Sequence, residues 1–259
     1  MTLNDSCVLA KVDGWKITTP DLASAVHDII LAAKGSKAFT VFMLNLDHLV
    51  KLRTSSALRS AYRNARIIAA DGAPVAWLAR AQHAAIKRTS VAKLMVPLAE
   101  AAAEARLPVF LFGTTAGRLA RAARDLGERT DGLLDIAGTL APSQSFNPEG
   151  AEADAAIEKI RASGAKLCLI GMAPPQQEIF AERARSSGID CGFVCVGNSL
   201  DDLALRTRAP NALRGGKRGR LSQLLANPRQ LAHTYLDCAA LFLDLTLLAP
   251  FKPKLAQPR

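Results

Sequence analysis

Apolar and polar positions along the chain follow two periods. Residues 21–34 (DLASAVHDIILAAK) repeat apolar side chains at helical spacing behind a Thr-Pro start, and residues 38–44 (AFTVFML) then run apolar with little interruption. The first pattern predicts an amphipathic helix and the second a strand buried on both faces. The pair recurs: RIIAA (66–70) precedes a helix from Ala73, PVFLFG (108–113) precedes one over 116–127, and LLDIAG (133–138) precedes one over 149–163. Two more strand-length runs come later, KLCLIG (166–171) and CGFVCVG (191–197), with Cys191 and Cys195 on one face of the last. This alternation predicts an α/β fold, a mostly parallel Rossmann-like sheet with helices on both faces. No internal repeat and no Gly/Pro-rich linker interrupts it, so 1–205 is expected to be one domain.

After Asn198 the pattern changes to RTRAPNALRGGKRGRLSQLLANPRQ (206–230) and then to the apolar LDCAALFLDLTLLAP (236–250). Seven Arg or Lys and no carboxylate lie between Leu203 and Leu236. Residues 206–259 are therefore expected to form a basic, amphipathic appendage. Asp237 and Asp244 are seven apart and share a face of an ideal helix, which leaves apolar faces for a membrane interface. The competing reading is a C-terminal helix that docks on the sheet or makes a dimer contact.

Composition narrows the choice. The 259 residues are 49% hydrophobic, enough for a full core, and the net charge of +10 is concentrated in the basic block. That distribution points to a phosphate-bearing partner or an anionic membrane surface. The N-terminal Met1–Asp5 has no basic stretch leading into an apolar one, so a cytoplasmic location is expected, at the inner face of the cytoplasmic membrane if the appendage attaches there. No apolar run reaches the roughly 18 residues of a spanning helix. Five cysteines without a C-x-x-C pair argue against a disulfide framework or a structural zinc site. His27, His48, His83 and His233 lack metal-ligand spacing and read as ordinary helix or surface positions. No Asp-x-Asp is present to hold a divalent ion on a diphosphate, and no cofactor is expected. Aromatics are only 5% and do not interleave with the basic block, so nucleic acid is not expected as a partner.

In a parallel sheet the ligand crevice is built by the residues at the carboxyl end of each strand. Here those residues are Asn45; Asp71-Gly72-Ala73-Pro74; Gly113-Thr114-Thr115; Gly171 through Pro174-Pro175-Gln176-Gln177-Glu178; and Gly197-Asn198-Ser199-Leu200-Asp201. Each has a plain alternative. Asp71 before Gly and Pro reads equally as a helix N-cap, Asn45 as a turn residue, and Glu178 as a carboxylate favoured by a helix dipole. Gly113-Thr114-Thr115-Ala116-Gly117 matches neither Gly-rich phosphate motif.

Taken in order, Asn45, Asp71-Gly72-Ala73-Pro74-Val75-Ala76-Trp77, Pro175-Gln176-Gln177-Glu178, Gly197-Asn198-Ser199-Leu200-Asp201, Arg208-Ala209-Pro210 and Pro228-Arg229 resemble the WecG/TagA/CpsF glycosyltransferases, family 26, over residues 12–236. The resemblance implies metal-free, inverting transfer of a sugar, often N-acetylmannosamine or its uronate, to a polyprenyl-diphosphate-linked saccharide. The donor would be a UDP-sugar and the setting cell-envelope or exopolysaccharide assembly. Other hexoses and hexuronates occur in the family, so the sugar does not carry over. Met43 stands where the family has Thr, Gln176 where it has Lys, and Arg88 is what remains of an Arg-Val-x-Gly-x-Asp stretch. The family's Leu-Glu-Trp is not evident around Arg218-Gly219-Arg220.

Inverting transfer needs a carboxylate to take the acceptor's proton and an anion cradle for the departing UDP. Asp71 is the candidate base, with Asn45 beside it. Gly113, Thr114 and Arg88 are candidates for the diphosphate, and Pro175, Gln177, Glu178, Asn198 and Asp201 for sugar and nucleoside. Arg208, Arg214, Arg218, Arg220 and Arg229 are expected to meet the acceptor diphosphate and the membrane. The alternative function is a catalytically decayed nucleotide-sugar-binding subunit of a polysaccharide assembly system. A homo-oligomer is left open.

Overall fold

The computed structural model describes residues 8–206 and 228–248. The chain enters through a hairpin, β1 (Ala10–Val12) and β2 (Trp15–Ile17), closed by Asp13-Gly14 with positive φ at both turn residues (50° and 82°). An Asp-Gly pair tolerates that conformation, and its twist matches the antiparallel strands it joins. This hairpin lies outside the strand pattern read from the sequence.

The predicted strands are all present. β3 (Phe39–Leu44), β4 (Ile67–Ala70), β5 (Val109–Gly113), β6 (Ile136–Leu140), β7 (Leu167–Gly171) and β8 (Gly192–Cys195) form one sheet, ordered β4-β3-β8-β7-β5-β6. Every pairing in it is parallel. β6 begins later than its apolar run suggested, because Asp131 and Gly132, both at positive φ, leave Leu133 in a turn at 73% exposure. The β8 side chains alternate between two cores: Cys191, Phe193 and Cys195 enter one, and Val194 and Val196 the other.

Helix α1 (Leu22–Ala33) starts at Asp21, whose carboxylate accepts the Ser24 N–H at 3.0 Å. Two helices, α2 (Leu46–Thr54) and α3 (Ser56–Asn64), fill the segment between β3 and β4, with Ser55 ending the first and capping the second. After β4 come α4 (Ala73–Arg80) and α5 (Val91–Glu104). The remaining crossovers are α6 (Ala116–Arg129), α7 (Ala151–Ala162), α8 (Gln176–Ser186) and α9 (Ser199–Arg206). One sheet face packs against the hairpin, α2, α3, α4, α7 and α8; the other packs against α1, α5, α6 and α9. Both faces are covered, which is why the central strands are buried along their length and almost wholly apolar, Thr40 of β3 being the polar exception.

A further helix, α10 (Pro228–Leu243), ends in a π-helical turn over Asp244–Leu248 and lies along α2. Leu241 is buried in the first core at 4% exposure, Phe242 meets Trp77 with ring centroids 6.0 Å apart, and Arg53 reaches Asp244 at 3.4 Å. Asp244 therefore faces the domain while Asp237 is exposed, so the two carboxylates do not share the solvent face expected of them. Among the described residues no helix is long and apolar enough to cross a membrane.

Candidate active site

Adjacent strands in the centre of the sheet send their following helices to opposite faces. β3 and β7 lead to α2 and α8 on one side, while β8 and β5 lead to α9 and α6 on the other. With the order β3-β8-β7-β5, each neighbouring pair diverges at its carboxyl end, the condition that opens a ligand crevice. One cleft of about 490 Å³ opens beyond β4, β3 and β8, and a second of about 440 Å³ opens beyond β7, β5 and β6. Between them the β7–β8 seam is tied shut by Gln177, whose Oε1 accepts the Gly197 N–H at 3.0 Å. Ala173 and Asn198, from the two loops at that seam, line both clefts and form the ridge that separates them.

Asp71 lies in the first cleft. Its N–H donates to the Leu44 carbonyl at 2.8 Å, carrying the β3–β4 pairing beyond the strand, and its Oδ1 accepts the Gly72 N–H at 2.8 Å. The N-cap of α4 is Gly72, at φ 79°, and it has no side-chain cap. Asp71 thus precedes the N-cap of α4 instead of occupying it. Asn45 is an N-cap: its Oδ1 accepts the His48 N–H at 3.0 Å, and its side chain also lines the cleft. Met43, Asp47, Arg88, Ser90, Asn198 and Asp202 share the lining. Arg88 sits exposed, in a segment held where Thr89 N–H donates to the Ala70 carbonyl at 2.8 Å.

Behind this cleft lies a buried polar group. Glu178 is 1% exposed, and its Oε1 accepts from Gln177 Nε2 at 2.7 Å and pairs with His48 Nε2 at 3.1 Å. Glu178 Oε2, His48 Nδ1 and the Tyr62 hydroxyl are buried without a hydrogen-bond partner among the described residues. Burial, with the nearby Glu178 carboxylate adding to it, pushes the Tyr62 phenol well above its ordinary range and does the same to the Cys195 thiol.

The second cleft is lined by Thr114, Thr115, Ala116, Ser143, Gln144, Met172, Gln176 and Asp201. Asp201 is held by the Thr114 hydroxyl and by Arg118 at 2.7 Å. The N-cap of α6, Thr115, makes no side-chain cap, and the first-turn amides of Ala116 and Gly117 face this end of the sheet.

Several expected contacts are corrected by this geometry. Gly113 lines neither cleft; at φ 119° it lies against β7, and a Cβ there would meet the Gly171 carbonyl oxygen at 2.4 Å. Its glycine serves strand packing rather than a phosphate cradle. The Thr114 N–H is spent on the Gly171 carbonyl at 3.0 Å. Pro175 lies between Pro174 in the first cleft and Gln176 in the second, and lines neither. Gln177 lines the first cleft, and each end of its amide makes one bond within the protein, which fixes its orientation in the wall. Glu178 is interior and supports that wall.

His48, read as an ordinary position, is 4% exposed and part of the same group. Its signal was its place in the turn capped by Asn45, and it lines the first cleft beside Asn45 and Asp47. Asp47 and Asp202 were not among the expected site residues either. Arg208, Arg214, Arg218 and Arg220 lie outside the described residues, and Arg229 falls in the first turn of α10 at the level of the backbone.

The structure thus brings Asn45, Asp71, Arg88, Gln177 and Asn198 to one cleft, and Thr114, Asn198 and Asp201 to the cleft across the ridge. Residues 10–255 match the glycosyl transferase WecG/TagA/CpsF family, a span that includes every one of these positions and nearly the whole chain. The chain belongs to the WecG/TagA/CpsF glycosyltransferase family.

Proposed function

We propose that the protein is an inverting, metal-independent hexosyltransferase. It moves a hexose-type sugar, such as N-acetylmannosamine, its uronate or another hexose or hexuronate, from a UDP-sugar to a polyprenyl-diphosphate-linked saccharide in cell-envelope or exopolysaccharide assembly. The observation that carries the reading is Asp71: a carboxylate at the carboxyl end of β4, one residue ahead of the α4 N-cap, in a cleft shared with Asn45 and Arg88.

In this reading the acceptor hydroxyl attacks the anomeric carbon as Asp71 takes its proton, and the bond to UDP breaks with its electron pair leaving on the diphosphate oxygen. Asn45 offers its amide nitrogen to the sugar, since its oxygen is engaged as a cap. The nucleoside lies across the ridge, beside Asn198. The diphosphate between the two clefts is met by Arg88, by the first-turn amides of α6 and by the appendage arginines.

The acceptor's lipid requires a membrane surface, and α10 supports that assignment. Leu236, Ala239, Ala240 and Leu243 are exposed at helical spacing i, i+3, i+4, i+7, and Trp77 beside Phe242 is 57% exposed. This stripe is the apolar face turned to the lipid.

The test incubates the protein with a panel of UDP-sugars and a short lipid-diphosphate saccharide, with product read by mass. Asp71→Asn should lower turnover ~10²-fold or more, the scale of losing a general base, with folding and UDP binding intact. Turnover within a few-fold of wild type would remove Asp71 from the chemistry. Activity should survive excess EDTA; its abolition and rescue by Mg²⁺ would overturn the metal-independent step. No transfer with any donor would favour the decayed-subunit reading.

A further inference from the structure

Away from both clefts, a pocket of about 400 Å³ lies between the N-terminal hairpin and α3. Its walls carry Lys11, Lys16, Arg59 and Arg63, and its single carboxylate is Asp13. Two features show that the cations are gathered against their own repulsion. Lys11 and Lys16 are direct cross-strand partners in the hairpin, where like charges oppose one another unfavourably. Arg59 and Arg63 are four apart on α3, and like charges at that helical spacing also repel.

Neutralisation from within the protein is slight. Asp13 is already held by Arg53, at 3.1 Å through Nε and 3.3 Å through Nη2. Arg59 donates Nη1 to the Leu52 and Arg53 carbonyls, which fixes the guanidinium without supplying a counter-charge. The side chains of Lys11, Lys16 and Arg63 have no hydrogen bond or ion pair among the described residues. Burial pulls the Lys16 ammonium below its ordinary value with no carboxylate to oppose the shift. The floor is aromatic: Trp15 meets Tyr62 edge-on with ring centroids 5.8 Å apart, and Val8 at the mouth is 46% exposed.

We propose that this pocket is a second ligand site, which binds a phosphate ester through Lys11, Lys16, Arg59 and Arg63, and that the ester is the headgroup of an anionic phospholipid. The cations match the phosphate, and Trp15 with Val8 matches the apolar attachment of a lipid. The choice of lipid over a soluble ester rests on the membrane reading of α10. It is favoured by position: Arg53 holds Asp13 at the pocket rim and Asp244 at the end of α10 together, so the pocket opens beside the helix that carries the apolar stripe. A headgroup there would orient the protein on the bilayer at a point separate from both clefts.

Trp15 and Trp77 are the two tryptophans, so full-length protein carrying Trp77→Phe reports on the pocket through Trp15 fluorescence. Glycerol 3-phosphate, phosphatidylglycerol vesicles and phosphatidylcholine vesicles are titrated at constant ionic strength. A saturable response to glycerol 3-phosphate and to phosphatidylglycerol, absent with phosphatidylcholine, is expected. Lys16→Gln with Arg63→Gln should weaken both responses about fivefold per cation removed, and leave transfer to a soluble acceptor unchanged. If Lys16→Gln perturbs folding, Lys11→Gln with Arg63→Gln tests the same point at two exposed positions. A response to the soluble ester alone assigns the site to a free phosphate ester and overturns the lipid. Leu236→Asp with Leu243→Asp should abolish the vesicle response and spare the soluble one, which separates failure of the membrane reading from failure of the pocket. A flat Trp15 signal with every ligand, or an affinity unchanged by removing the cations, overturns the site.

Discussion

The His48–Glu178 pair sets the first cleft's wall, and its energetic signature is a coupling between two positions 130 residues apart. His48→Ala removes one of the two hydrogen bonds to Glu178 Oε1 and leaves a carboxyl group, 1% exposed, with Gln177 alone. Truncating one partner of a buried ionisable pair costs about 3–5 kcal/mol. Replacing both by apolar residues of similar volume, His48→Leu with Glu178→Met, removes the pair together and strands only the Gln177 amide nitrogen, and should cost about 1–3 kcal/mol. The double variant should therefore be more stable than His48→Ala, and a cycle built from His48→Leu, Glu178→Met and the pair should give a coupling of at least about 2 kcal/mol. Urea unfolding followed by circular dichroism measures all of these. Additive single effects, within ~0.5 kcal/mol, would refute the claim that the two side chains share one buried bond. The double variant should still lose catalytic efficiency, because Gln177 is then held from one end only and the ridge beside Gly197 is less well defined.

Other outcomes rest on single contacts. Gly113→Ala places a methyl group 2.4 Å from the Gly171 carbonyl at a φ of 119°, so it should reduce soluble yield or lower the unfolding midpoint more than a typical core substitution does. Tyr62→Phe removes a buried hydroxyl without a partner among the described residues, and should be neutral or stabilising in a thermal melt; a loss above about 1 kcal/mol would show that the hydroxyl is bonded. Asp21→Ala should cost about 1 kcal/mol as a lost cap, and Asp21→Asn much less. The Ser24 backbone N–H holds the Asp21 carboxyl below its ordinary value of 3.8, with the Ser24 hydroxyl and Lys87 assisting. Its folded-state value is the lower one, so the stabilisation is present above pH 3.8 and lost as pH falls through that lower value; wild type and Asp21→Ala should converge in acid.

The strands were legible because a strand covered on both faces has little room for polar side chains, and β4, β5, β7 and β8 accordingly read as apolar runs, with β3 interrupted only by Thr40. α2 and α3 were harder to see. Their buried residues are sparse, with His48 and Tyr62 among them, and Ser55 breaks the helical period in the middle. β1 and β2 are three residues each, too short for a periodic signal, and only the Asp13-Gly14 turn between them marks the hairpin.

Sequence order alone determined that Asn45, Asp71 and Asn198 would stand at one edge of the sheet, since each comes after a parallel strand and all such strands end on the same side. It did not separate residues that face ligand from residues that face protein. Gly113, Gln177 and Glu178 occupy the same kind of position as Asp71, yet the first packs on a neighbouring strand, the second closes a seam and the third is interior. That distinction depends on the strand order β4-β3-β8-β7-β5-β6, which places the β5 and β7 ends in contact and brings α8 against α2. Strand order is a property of long-range pairing, decided by how helices on two faces pack together, and local periodicity carries no record of it. The same holds for the cations around Trp15: two come from a hairpin and two from a helix more than forty residues later, and only the packing of one on the other makes them a single pocket.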